Sequence, residues 1–68
     1  MTDDEIRKRL SEFVDEILYT YLTPQDAREL EKRLDAFCEE NNVTFEQQQL
    51  IAESGAGETL RMLTTMTD

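Results

Sequence analysis

Apolar residues recur at intervals of three and four along most of the chain. The first run is Ile6, Leu10, Phe13, Val14, Ile17, Leu18, Tyr21 and Leu22. Those offsets set the side chains along one stripe and predict a helix over about residues 3–22. The second run is Ala27, Leu30, Leu34, Phe37 and Cys38, with Arg28, Glu31, Lys32, Asp35 and Glu39 on the other face. It predicts a helix over about residues 24–40.

The third run is less regular. Phe45, Leu50, Ile51 and Ala52 start a helix over about residues 45–54, and Ser54-Gly55-Ala56-Gly57 interrupts it. A glycine inside a helix costs about 1 kcal/mol relative to alanine. The pattern therefore predicts a break, with Ser54 or Gly55 capping a fourth helix over about residues 57–66. Leu60, Leu63 and Met66, with Met62 beside them, form its apolar face. The competing arrangement is a kinked helix whose Gly55 and Gly57 admit the close crossing of another helix.

Three threonines mark helix starts. Thr2, Thr23 and Thr44 are each followed three residues later by a side chain that can reach back, respectively Glu5, Asp26 and Gln47. Threonine accepts from a free amide of the first turn and the later side chain returns the bond. Pro24 suits the first helical position, where its missing N–H is no loss. Asn41-Asn42 ends the second helix, because asparagine tolerates the left-handed conformation of a C-cap. The connections are short, which predicts antiparallel neighbours. The expectation is an all-α, compact three- to four-helix bundle forming one domain over residues 1–68. Its expected core is Leu10, Phe13, Val14, Ile17, Leu18, Leu30, Leu34, Phe37, Ile51, Leu60 and Leu63.

Composition narrows the chemistry. A chain of 68 residues buries only about 60% of the surface it exposes when unfolded. Such thin cores often rely on a disulfide, a metal or a second subunit. The single cysteine, Cys38, excludes an intrachain disulfide, and the absence of histidine leaves a poor ligand set for zinc. No metal and no cofactor is expected. The acidic first residues are unlike a secretory signal, no apolar run is long enough to span a bilayer, and one unpaired thiol suits a reducing compartment. These features predict a soluble, cytoplasmic protein without membrane contact.

The net charge is −9, from 16 acidic and 7 basic side chains. From Asp35 to Asp68 the chain holds seven acids and one base, Arg61, which accounts for most of that excess. Nucleic-acid affinity depends on Lys and Arg contacts to phosphate, so direct binding to DNA or RNA is not expected. A helix-turn-helix over residues 44–66 fails for the same reason. The excess is that of a solubilising surface or of one that meets a basic partner.

No residue set points to catalysis. Glu12, Asp15 and Glu16 fall on the polar face of the first helix, and paired carboxylates need a sheltered pocket for acid–base work. Cys38 lies on an apolar stripe and has no histidine to activate it. Ser54-Gly55-Ala56-Gly57 follows no strand, and Glu58 stands just past it where a phosphate loop places lysine. The expectation is not an enzyme.

The functional expectation is a protein-interaction module that binds and regulates or inhibits a partner protein with a basic surface. Tyr19, Tyr21 and Leu22 would anchor the contact, since aromatic side chains concentrate at interfaces. Glu39, Glu40, Glu46, Glu53 and Glu58 would steer it. The apolar surplus of the first helix also suggests a homo-oligomer. Two alternatives share the charge and the helices. The same five glutamates could imitate phosphates and inhibit a nucleic-acid-binding protein. A helical co-chaperone or assembly factor could instead lend an apolar groove to an aggregation-prone subunit.

Overall fold

The computed structural model describes residues 1–66. Asp68, counted among the acids above, lies outside the described residues. The described residues form four helices, α1 (Asp3–Tyr19), α2 (Pro24–Glu40), α3 (Phe45–Ser54) and α4 (Ala56–Thr65). No strand occurs among the described residues.

Each of the three threonine signals is a complete capping box. Glu5 N donates to Thr2 Oγ1 at 3.2 Å, and Thr2 N donates back to Glu5 Oε1 at 3.1 Å. Thr23 with Asp26 repeats the exchange at 3.1 and 3.3 Å, and Thr44 with Gln47 at 3.1 and 2.9 Å. In each case two amides that the first turn would leave unpaired are satisfied.

Helix α1 ends three residues before the predicted boundary at Leu22. Thr23 must be extended both to cap α2 and to precede Pro24. The chain also needs Thr20 to Leu22 to turn between the two helices. Thr20 is already extended, and its hydroxyl donates to the Glu16 carbonyl. Tyr21 therefore leaves the apolar stripe and is exposed, while Leu22 folds back half-buried against the core.

The end of α2 is a Schellman motif. Asn42 adopts φ +49°, Val43 N donates to Cys38 O at 3.0 Å, and Asn42 N donates to Glu39 O at 3.4 Å. Val43, just past the left-handed residue, turns inward and is buried. The glycine segment is a break, not a kink: Gly55 sits at φ +81° and joins α3 to α4. Ser54 Oγ accepts from Ala56 N at 3.3 Å, and α4 starts at Ala56, one residue before the expected position.

Helix α4 is central, packing against α1, α2 and α3, while α3 also packs against α1. Phe13 meets Phe37 with ring centroids 5.8 Å apart, and Glu16 pairs with Arg33 at 3.0 Å. Rising residue numbers on α1 meet falling numbers on α2, so these two helices are antiparallel. Arg28 Nη1 donates to Met66 O at 3.4 Å, whereas Gly57 lies across from Leu34 and Cys38. Helices α2 and α4 are therefore antiparallel too.

The buried core is Ile6, Leu10, Phe13, Val14, Ile17, Ala27, Leu30, Leu34, Val43, Ala56 and Leu60. Four expected core residues, Leu18, Phe37, Ile51 and Leu63, are half-buried at its edge. A four-helix unit with helices this short has too few layers to close over them. Ala56, the first residue of α4, takes an unexpected place in this core and is fully buried.

Candidate interaction surfaces

Helix α3 explains why the surface is uneven. Its apolar residues do not share one face, and Gln47 is its only buried side chain. Gln47 belongs to the α3 capping box, and its Nε2 also donates to Asp3 Oδ1 at 2.7 Å. The amide thus ties the first turn of α3 to the first turn of α1 with both of its polar atoms used. Asp3 further accepts from Arg7 at 2.9 Å. The Gln47 bond, then Arg7, hold the Asp3 carboxyl below its ordinary pKa, and bonds from Thr2 lower Glu5 likewise. The sequence pattern gave Gln47 its place in the capping box but not its bond to Asp3.

The remaining side chains of α3 border two open clefts. On one side, α2 and α3 splay apart over the start of α4 and leave a cleft of about 530 Å³. Leu34 and Cys38 of α2, Ile51 and Ala52 of α3, and Gly57 of α4 give it an apolar floor. Asp35, Glu39 and Gln48 edge it. On the other side, Arg7, Glu46, Gln49, Leu50 and Glu53 line a more polar cleft between α1 and α3.

Cys38 is half-buried in the first cleft. Burial, and then the neighbouring Asp35 charge, push its thiol pKa above the ordinary value. It is a protonated thiol at neutral pH, with none of the positive surroundings that generate a thiolate. Among the described residues no three cysteine or acidic side chains converge as metal ligands would.

The predicted anchors lie at the far end of the bundle. Tyr19 is 79% exposed and Tyr21 is 91% exposed, on and just after the last turn of α1. The Arg28–Met66 bond brings the end of α4 to this same end, so exposed Met66 accompanies the tyrosines there. Leu22 contributes less, being half-buried on the core. Phe45, 79% exposed at the first position of α3, is a large apolar surface residue that the pattern assigned to the helix without placing outside. Its signal was its place directly after the capping threonine, ahead of any stripe.

The five predicted glutamates are all exposed but do not form one face. Glu39 edges the α2–α3 cleft, whereas Glu46 and Glu53 line the α1–α3 cleft with Arg7. Glu40 ends α2, and Glu58 lies in the first turn of α4. The seam between α1 and α2 differs in character. There Arg9 pairs with Glu12 at 3.4 Å and Arg33 with Glu16 at 3.0 Å. The Arg9 guanidinium also lies 6.0 Å from the ring centroids of both Phe13 and Phe37. Among the described residues, no ion pair engages Asp35, Glu39, Glu40, Glu46, Glu53 or Glu58.

No family model matches the chain, and no curated protein and no solved structure matches it. The fold is a four-helix bundle, and none of its described helices is long and apolar enough to cross a membrane.

Proposed function

We infer that this protein is a non-catalytic interaction module that binds a partner protein with a basic surface and thereby regulates or inhibits it. The observation that carries this reading is the pairing of two exposed features. Tyr19, Tyr21 and Met66 stand in water at one end of the bundle, outside any core the chain builds. The carboxylates of late α2, α3 and early α4 carry no ion-pair partner among the described residues. Apolar side chains supply contact energy and charge supplies steering and choice of partner.

The test begins with a partner captured on the immobilised chain and then purified. Its affinity for the native protein is compared with that for Tyr19→Ala/Tyr21→Ala and for Glu39→Lys/Glu53→Lys. Exposed positions of this kind alter stability by about 0.5 kcal/mol or less, so changes report binding. The reading predicts a loss of about tenfold or more from at least one of the pairs. Indifference to both pairs, or turnover of a substrate by the pure chain, refutes it.

A further inference from the structure

We propose that the α2–α3 cleft is a docking groove for a short, positively charged amphipathic helix of a partner protein. The proposal rests on the interaction reading above and assigns the principal contact to the cleft instead of the tyrosine end. Three features select the occupant. The floor is apolar and built from small or half-buried side chains, among them Cys38, Ile51, Ala52 and Gly57, so it accepts inserted aliphatic groups. The walls are helices whose backbone bonds are already made, so an extended strand would gain no partner there. A helix satisfies its own backbone and needs only a groove. The ten residues of α3 span about 15 Å, room for two to three turns presenting apolar residues at i, i+3 or i+4, and i+7.

Charge selects the sign. Glu31, Asp35 and Glu39 recur every fourth residue along α2 and are all exposed, which sets them in a row along one side of the helix. Asp35 and Glu39 edge the cleft, no cation lines it, and neither acid makes an ion pair among the described residues. Elsewhere cations stand among the acids: Arg7, paired with Asp3, lines the α1–α3 cleft, and Arg9 and Arg33 pair with Glu12 and Glu16 along the α1–α2 seam. Lysine or arginine flanking the apolar stripe of the incoming helix would occupy this row. Phosphate groups and acidic lipid would be repelled by it.

The probe is a synthetic peptide of about 15 residues with leucine on one helical face and lysine on the rest. Its controls are a scrambled peptide of the same composition and a leucine–glutamate counterpart. Binding is read by anisotropy, and occupancy of the cleft by protection of Cys38 from alkylation. The expected result is binding of the leucine–lysine helix alone, with alkylation slowed at least about threefold at saturation. Ala52→Trp, an exposed position that would fill the cleft, and Asp35→Lys/Glu39→Lys should each weaken binding at least about tenfold. Tyr19→Ala/Tyr21→Ala should leave it within about twofold.

Equal binding of the scrambled peptide, or binding without Cys38 protection, overturns the groove. So does failure of the leucine–lysine helix to bind. If sedimentation shows a dimer that Ala52→Trp dissociates, the occupant is a second copy and the proposal fails. If the captured partner is lost on the tyrosine substitutions and unaffected by the cleft substitutions, the interaction reading stands and the groove does not.

Discussion

Substituting each glycine of the Ser54–Gly57 segment with alanine should move stability in opposite directions. Gly55 lies at φ +81°, and a Cβ built on it meets nothing within 4 Å. The cost of Gly55→Ala is therefore conformational and not steric. Forcing a side chain into the left-handed region costs about 1–2 kcal/mol. The reduced freedom of the unfolded chain returns a fraction of that, leaving a net loss of about 1 kcal/mol. Gly57 lies within α4, and a Cβ there would sit 3.6 Å from Ile51 Cγ2, an ordinary contact. Gly57→Ala should gain about 0.5–1 kcal/mol from helix propensity. In a domain of this size 1 kcal/mol moves Tm by about 4–8 °C. The two variants should thus melt at least about 6 °C apart, on either side of the native protein. Thermal and urea unfolding followed by circular dichroism at 222 nm measure this, with equal urea m-values confirming a pure stability change. A single kinked helix through residues 45–66 would give both glycines helical dihedrals, and both variants would be stabilised. Stabilisation by Gly55→Ala would refute the left-handed joint and the separation of α3 from α4.

Leu30→Ala, at a fully buried position, should cost about 2–5 kcal/mol, a large part of the total stability of a small domain, and drop the urea midpoint accordingly. Thr23→Ala removes one capping box and should cost about 0.5–2 kcal/mol by the same measurement. Asp3 and Glu5 have lowered pKa values in the fold, so their contribution is present above the ordinary carboxylate range and is lost as pH falls through the depressed values. Asp3→Asn should accordingly flatten the acid limb of a stability–pH profile. Gln47→Glu keeps a side chain suited to the capping box but sets a carboxylate against Asp3, 2.7 Å from the present amide. It should destabilise at neutral pH and recover as the solution is acidified, and a variant as stable as the native chain at pH 7 would show that the α1–α3 bond is immaterial.

The helices were legible because the signals for them are local. Three threonines with partners three residues on, one proline at a first turn and paired asparagines at an end set four helix termini, and the Ser54–Gly57 break and the last apolar face set three more to within one residue. Leu22 misled because periodicity alone continued the first stripe through Thr20 to Leu22, the residues the chain needs to turn into the extended Thr23 cap. Val43 and Ala56 were missed for the opposite reason. Each is buried by what surrounds a turn, and neither belongs to a repeating stripe. The surfaces were less readable still. Tyr19 and Tyr21 were visible as surplus aromatics, but the cleft depends on how far α2 stands from α3. That distance follows from α3 lacking a coherent apolar face, an irregularity visible in the sequence whose consequence for the spacing of α2 and α3 depends on how the other helices pack.

Helix α3 begins three residues after one left-handed position, Asn42, and ends at another, Gly55. Its single interior side chain is an amide held by two polar contacts. Such a segment resembles a door hung on both jambs with one latch. Its backbone amides should exchange with deuterated solvent well before those of α1, α2 and α4, because so little apolar area is lost when it loosens. Whatever fills the space beside it would add the contacts that the sequence withholds, and slower exchange confined to α3 would then register occupancy directly.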